Sequence, residues 1–126
     1  MNEATREFVR VRAHHRCEYC QLGQEDSPLA ALHVEHVIPI KHDGSDDVSN
    51  LALACIDCNL CKGPNLTGFD PETGELCRLF HPREQEWEDH FRWLGIYIVG
   101  KTDVGRTTIK VLNMNSSERL ELRMTE

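Results

Sequence analysis

Two Cys-x2-Cys pairs constrain this chain more than any other feature of its sequence. Cys17 and Cys20 form the first knuckle, and Cys55 and Cys58 form the second knuckle, with 34 residues between them. Each pair can present two thiolates to one ion from a tight turn, and two pairs complete a tetrahedral shell with no open position. The pattern therefore predicts a structural Zn²⁺ held by four cysteines. Two unrelated cysteine pairs and an iron site are the alternatives.

The second knuckle carries an ambiguity. Cys61 extends it to Cys55-x2-Cys58-x2-Cys61, which is similar to an iron–sulfur run, but Lys62-Gly63-Pro64 follows where that run needs a fourth cysteine before proline. Cys61 and Cys77 are therefore predicted to be small buried residues or free thiols. A redox or iron protein that uses Cys55, Cys58 and Cys61 remains a rival interpretation.

The length and composition favour one soluble domain, residues 1–126, in a reducing compartment. The chain has 126 residues, 40% of them apolar, and six cysteines without a recognisable export signal or membrane span. We therefore expect a cytoplasmic protein with no membrane partner.

The net charge of −7 is unevenly distributed. Residues 21–60 contain one lysine, Lys41, and seven acidic residues. Nucleic-acid affinity comes mainly from Lys and Arg that neutralise phosphates, which argues against a dedicated DNA-coating protein. An enzyme whose acidic residues hold a phosphate-contacting cation is still permitted.

The residue pattern predicts an α+β fold. β-branched residues and Pro39 favour extended chain, and Gly63-Pro64 stops a helix. The predicted elements are a helix over 4–13, extended chain over 31–40, a polar loop over 41–50, a strand over 51–55, a helix over 56–62, a turn over 70–74 and helices over 83–93 and 103–114. For the last of these a strand is the alternative, because Thr107, Thr108, Ile109 and Val111 favour strand.

The segment between and after the knuckles resembles the HNH (ββα-metal) endonuclease family. It contains His33-Val34-Glu35-His36-Val37-Ile38-Pro39, Asp43-Gly44-Ser45, Asn50-Leu51 and finally Cys55-x2-Cys58-Asn59-x2-Lys62, in the order typical of that family. The resemblance implies a small ββα-metal (His-Me finger) core over 16–62 with a structural four-cysteine zinc. Residues 63–126 would form a C-terminal extension, and further elements would precede the core.

The same resemblance implies a role for four residues. Glu35 matches the acidic ligand of a catalytic divalent ion, His36 the general base, Asn50 the loop asparagine that orients the histidine and the hairpin, and Asn59 a second metal ligand on the helix. Glu35 stands where Asp is commoner and Asn59 where His is commoner. Oxygen ligands suit Mg²⁺ or Mn²⁺ and disfavour metals that prefer imidazole.

These roles agree with what phosphodiester hydrolysis requires. A histidine with a pKa near neutrality can accept a proton from water, and a divalent ion supplies positive charge to the phosphate oxygens. We therefore expect DNA as substrate, bound weakly or with low specificity by this chain alone, with a protein partner to deliver it. A catalytically inactive zinc module that acts as a DNA- or protein-binding adaptor is the alternative.

Several other residues have no settled role at this stage. His33 is expected at the rim of the site, and Lys62 is expected either to touch a phosphate or to close the helix. His81, Arg83 and His90 are candidates to line the site, although packing by Trp87 and Phe91 accounts for that segment equally well.

Overall fold

The computed structural model describes residues 1–27 and 30–124. The chain begins with helix α1 (Glu3–Arg12), which confirms the predicted first helix. Asn2 caps it by accepting a hydrogen bond from the Thr5 amide at 2.8 Å. Val9 is fully buried, and Arg12 donates to the carbonyl oxygens of Val48 and Leu51. These contacts fix α1 against the end of the loop that follows the first strand.

A hairpin followed directly by a helix forms the centre of the fold. Strands β1 (His33–His36) and β2 (Leu51–Ala54) are antiparallel, with His36 opposite Leu51. Helix α2 (Ile56–Lys62) follows β2 after Cys55, whose Sγ accepts from the Cys58 amide. Gly63 ends α2 with a φ of 49°, a backbone conformation that favours glycine. The predicted strands and helix of the ββα unit are thereby confirmed.

Residues 63–124 add two hairpins and three helices. The turn over 70–74 connects the two strands of the first of these hairpins, as its composition predicts. The elements are β3 (Thr67–Phe69), β4 (Leu76–Arg78), α3 (Trp87–His90), β5 (Phe91–Leu94), β6 (Tyr97–Gly100), α4 (Asp103–Val111) and α5 (Ser117–Met124).

The predicted helix over 83–93 is wrong in most of its length. Only one turn, α3, is helical, and Phe91 then begins β5, which turns back at Gly95 to pair with β6. The carbonyl of His90 accepts from the Lys101 amide at 2.8 Å. Pairing with β6 therefore overrides the helical spacing of the aromatic residues. The predicted helix over 103–114 is confirmed as α4, which Thr102 caps by accepting from the Gly105 amide.

One buried cluster joins the hairpin to the later elements. All four residues of β2 are buried, and Leu51 and Leu53 belong to the same hydrophobic cluster as Phe80, Phe91 and Leu112. Phe80 and Phe91 meet edge to face, with ring centroids 5.2 Å apart. The fold is thus a mixed α+β structure built around the ββα unit, with Glu35 and His36 on β1 and Asn59 on α2.

Candidate active site and zinc centre

The four knuckle cysteines come together as the sequence predicts. The sulfur atoms of Cys17, Cys20, Cys55 and Cys58 all lie within 4.8 Å of one another, and all four residues are buried. The Cys20 and Cys55 sulfurs are 3.6 Å apart. A tetrahedral Zn²⁺ with bonds of about 2.3 Å requires sulfur atoms about 3.8 Å apart. The donor set and its spacing therefore fit a four-thiolate zinc.

Local geometry builds each knuckle. The Cys20 amide donates to the Cys17 sulfur, and the Cys58 amide donates to the Cys55 sulfur, each at 3.4 Å. Burial raises the pKa of Cys17 and of Cys58 well above that of an ordinary thiol. Binding of a metal must therefore displace protons from these two residues.

Arg119 of α5 contacts the four-cysteine cluster, and no signal in the sequence predicts this contact. Its Nη2 donates to the Cys58 sulfur at 2.7 Å and to the Cys55 sulfur at 3.7 Å, and the residue is 6% exposed. Burial alone would lower the pKa of Arg119, but the charges of Cys58, Cys20 and Cys55 raise it above its ordinary value. The guanidinium thus offsets part of the negative charge that four thiolates leave around one dication.

The two remaining cysteines stand apart from this cluster. Cys61 is exposed and Cys77 is half-buried, and neither belongs to the group of possible metal ligands found among the described residues. Of the two expectations for Cys61, a buried residue is wrong and a free thiol is confirmed. An iron–sulfur run through Cys55, Cys58 and Cys61 gains no support from this arrangement.

Glu35 and His36 occupy opposite faces of β1, because side chains alternate along a strand. Glu35 is 7% exposed, and its Oε1 accepts a hydrogen bond from the Tyr19 hydroxyl at 2.5 Å. Burial raises the pKa of Glu35, while the charge of Lys62 and the Tyr19 hydrogen bond oppose that rise. Oε2 makes no hydrogen bond within the part of the chain that the structure describes, which leaves one carboxylate oxygen for a cation.

Lys62 closes α2 against β1. Its side chain is 1% exposed, and Nζ donates to the Val37 carbonyl at 2.8 Å. Burial lowers the pKa of Lys62, and the charge of Glu35 opposes that shift. Of the two sequence expectations, closing of the helix is therefore the one confirmed. Asn59 is half-buried one turn earlier, and residues three apart share a helix face, so α2 presents Asn59 on the same side as Lys62.

His36 is held by an acidic residue of the following loop. Its Nε2 lies 2.6 Å from Oδ1 of Asp46, and the His36 side chain is 19% exposed. The hydrogen bond to His36 lowers the pKa of Asp46. An ionised carboxylate can only accept, so this contact places the proton on Nε2 and leaves Nδ1 of a neutral imidazole as a proton acceptor. The sequence offers Asp43, Asp46 and Asp47 and does not indicate which one pairs.

Asn50 ties the loop after β1 to the start of β2. Its side-chain amide donates to the carbonyls of Ile38 and Ser45 at 2.9 Å each, and its Oδ1 accepts from the Ile38 amide at 2.9 Å. The side chain needs glycine nearby, because a Cβ on Gly44 would lie 1.6 Å from the Ile38 carbonyl oxygen and 2.9 Å from Asn50 Nδ2. Asn50 thus fixes the loop that carries Asp46.

The residues of the extension that were considered for the site have structural contacts. Arg83 pairs with Glu18 of the first knuckle, and Glu18 also accepts from the Leu53 amide at 2.8 Å. His81 is 8% exposed, and burial lowers its pKa. His90 lies 2.7 Å from the Thr102 hydroxyl and packs its ring edge against Phe80. His33 is exposed, as a rim position requires.

Comparison with known proteins gives one match. Residues 17–65 match the family model of the HNH endonucleases. No curated protein and no solved structure gives a significant match. None of the helices in residues 1–27 and 30–124 is long and apolar enough to cross a membrane. The matched segment contains both knuckles, β1, β2 and α2, so the chain is similar to the HNH endonucleases over the ββα unit and its two knuckles.

Proposed function

We propose that this protein is a metal-dependent endonuclease that hydrolyses DNA phosphodiester bonds. The observation that carries the proposal is the 2.6 Å contact of His36 Nε2 with Asp46, inside the segment that matches the HNH family. An imidazole held by a carboxylate has a defined orientation and a defined proton acceptor, as a general base requires. The exposure of the His36 side chain, 19%, leaves a way in for water.

The reaction that we assign to His36 is activation of the attacking water. Nδ1 accepts one proton while the water oxygen forms a bond to phosphorus, and the bond from phosphorus to the leaving oxygen breaks. The leaving oxygen takes a proton from solvent, and the imidazolium returns its own to solvent. Asp46 stabilises the imidazolium that exists between these transfers.

Glu35 and Asn59 are the residues that we expect to hold a divalent ion. Oε2 of Glu35 is not used in any hydrogen bond of the described chain, and Asn59 shares the face of α2 that Lys62 turns towards β1. Two oxygen ligands suit Mg²⁺ or Mn²⁺. When bound, the ion would supply positive charge to the phosphate oxygens. The role of Asn50 would be to position the loop, as its three hydrogen bonds support.

We further propose that residues 1–126 work as one domain in the cytoplasm, with DNA as the substrate and a protein partner that delivers it. The contact of Arg119 with the knuckles supports a shared unit, because the extension completes the surroundings of the cysteines. The net charge of −7 supports weak binding to DNA by the chain alone.

One observation favours the adaptor as a second candidate. Glu35 already accepts from Tyr19, and the charge of Lys62 acts on it, so its carboxylate is partly compensated without a divalent ion. A chain that binds no second metal would have a zinc centre and a fold but no hydrolytic activity.

Cleavage of supercoiled plasmid at low salt tests the proposal. The zinc-loaded protein is incubated with Mg²⁺ or Mn²⁺, with His36→Ala and His42→Ala as variants and with the divalent ion omitted as a further control. We expect nicking that needs the ion, persists in His42→Ala and falls about 10²- to 10⁴-fold in His36→Ala, the usual contribution of a general base. Cutting that survives His36→Ala would overturn the proposed base, and a folded wild type that cuts nothing would favour the adaptor.

A further inference from the structure

A cavity opens beside the two cysteine knuckles, away from His36. Its volume is about 520 Å³, and its lining includes Cys20 and Cys55 together with residues of α3, β5 and α5 but none from β1 within the described chain. Cavities of about 300–1000 Å³ are typical of sites for small molecules or single ligand groups. The proposed hydrolysis does not use this cavity, which we call the aromatic cleft.

Three aromatic rings form one wall of the aromatic cleft. Trp87 stacks on Phe91 with centroids 5.2 Å apart, and Trp93 lies 5.8 Å from Trp87. Trp87 is fixed by a hydrogen bond from its Nε1 to the Tyr19 carbonyl at 2.8 Å. Trp93 is 44% exposed, which is costly for so large an apolar surface. Arg123 lies over part of this ring, with its Cζ 5.6 Å from the ring centroid. The wall thus combines a fixed inner ring with an outer ring that stays partly accessible beside Arg123.

The rim of the aromatic cleft is positively charged although the chain is acidic. Arg16, Arg92 and Lys101 are exposed there, and Asp57 and Glu88 are the acidic residues of the lining. None of these three cations lies within 4.0 Å of a carboxylate in the described residues.

The partners of the three cations differ. Arg16 and Lys101 donate to backbone carbonyls, while Arg92 has no side-chain hydrogen bond or ion pair among residues 1–27 and 30–124. Other arginines of the described chain do form ion pairs with carboxylates, as Arg10 does with Glu3 and Arg106 with Asp70. An aromatic wall with cations at its rim that form no ion pair is complementary to an aromatic ring that carries an anion.

We propose that the aromatic cleft binds one unstacked base of single-stranded DNA, with the flanking phosphates at Arg92, Arg16 and Lys101. The choice of DNA rests on the proposed function. Aromatic side chains bind bases through their faces, and this stacking does not depend on the net charge of the protein. An acidic nuclease gains in this way an affinity for its substrate that its overall charge does not provide.

One residue, Tyr19, connects the aromatic cleft with the candidate active site. Tyr19 accepts from Trp87 through its carbonyl and donates to Glu35 through its hydroxyl. The base site and the proposed metal ligand are therefore held by the same residue of the first knuckle. A strand bound in the aromatic cleft would approach the domain beside the knuckles.

Tryptophan fluorescence measures binding at this site directly, because the chain has two tryptophans and both line the aromatic cleft. The zinc-loaded full chain is titrated without Mg²⁺ or Mn²⁺ with a short oligothymidylate, with an abasic oligonucleotide of equal length and charge, and with a duplex. We expect the oligothymidylate to quench the fluorescence and to bind at least tenfold more tightly than either control. Equal quenching by the abasic strand, tighter binding of the duplex or no quenching would overturn the proposal.

Variants separate stacking from charge, with anisotropy of a labelled oligothymidylate as the readout. Trp93→Leu should weaken binding about tenfold and Arg92→Ala several-fold, while Arg78→Ala removes an exposed arginine of β4 outside the cleft and should bind as the wild type. Unchanged affinity in Trp93→Leu would contradict the base site.

His36→Ala should bind the oligothymidylate as tightly as the wild type, which keeps this test independent of the proposed hydrolysis. Plasmid cleavage without quenching would overturn the base site alone. Quenching without cleavage would support the base site and overturn the nuclease.

Discussion

The zinc centre and the His36 end of the hairpin show opposite ways of holding functional groups. The four cysteines are buried, and three of their sulfurs receive hydrogen bonds, from backbone amides or from Arg119. His36 is held by one contact to Asp46, whose carboxylate is 63% exposed. A closed shell of ligands suits an ion that stabilises a fold, whereas an open site suits chemistry on a large substrate. Changes at the first region should therefore affect folding, and changes at the second should affect catalysis.

Removal of one zinc ligand should have the largest effect. We expect Cys58→Ala to prevent folding, because a structural zinc contributes about 10–16 kcal/mol in zinc-finger peptides and a domain is stable by only about 5–15 kcal/mol. Zinc content and circular dichroism measure the outcome. Cys61→Ala is the matched control, since Cys61 is exposed and outside the cluster, and it should retain one zinc per chain. A folded, zinc-free Cys58→Ala protein would remove the distinction between the two regions.

Replacement of Arg119 tests whether α5 contributes to zinc binding by the four cysteines. Arg119→Met keeps much of the bulk but removes the donor to Cys58 and Cys55, so we expect zinc affinity to fall about 10- to 100-fold, as for other groups that support metal ligands. Competition with a chromogenic chelator gives the affinity. Arg78→Met, at an exposed arginine, should match the wild type. Equal affinities for the two variants would show that the knuckles alone define the zinc centre.

Asn50 shares a property with each region. It is buried like the cysteines, but it fixes the loop that carries the His36 partner Asp46. Asn50→Ala removes three hydrogen bonds to backbone groups, and we expect the free energy of unfolding to fall by about 2–4 kcal/mol. Plasmid cleavage should fall as well, while zinc remains bound. Urea denaturation gives the first quantity, and Ser49→Ala, at the exposed neighbour, is the control. A stable Asn50→Ala protein without activity would instead point to a direct catalytic role.

Replacement of Asp46 should have the smallest effect on the stability of the fold and should lower only the rate of cleavage. Asp46→Asn keeps an acceptor for His36 but removes the charge that stabilises its protonated form, so we expect plasmid cleavage to fall about 10-fold, less than the about 10²- to 10⁴-fold expected for His36→Ala. Thermal unfolding should be unchanged, because the carboxylate is exposed. A lowered unfolding temperature would mean that this contact stabilises the fold. His36 and the cysteine cluster would then no longer differ in whether their contacts serve catalysis or folding.

The sequence predicted the residues whose chemistry requires a local spacing. The two knuckles follow from the Cys-x2-Cys rule, and α2 follows from Gly63-Pro64, which stops it where the structure does. The contacts of Arg119 and Tyr19 could not be predicted, because Arg119 reaches Cys58 across 61 positions and Tyr19 reaches Glu35 across 16, and no spacing rule applies at those separations. The candidate site was therefore predicted as a set of residues and not as a set of contacts.

The error in the extension has a related cause. Trp87, Phe91 and Trp93 have a spacing that is compatible with a helix, but Phe91 and Trp93 lie on β5 and pair with β6. Pairing of strands is a tertiary preference that overrides local spacing. Lys62 illustrates the converse, since a lysine after a metal motif suggests contact with phosphate, and only its burial against Val37 identifies it as structural.

The position of Arg119 also sets an order of events during synthesis. Both knuckles leave the ribosome before α5 is made, so the four cysteines can capture zinc while the chain is still incomplete. Arg119 is made later and would add its charge to a cluster that can already hold its ion. A nascent chain that has not yet produced α5 would therefore exchange zinc more readily than a chain that includes it. Helix α5 would thus turn a provisional zinc complex, assembled by the two knuckles alone, into a more durable one.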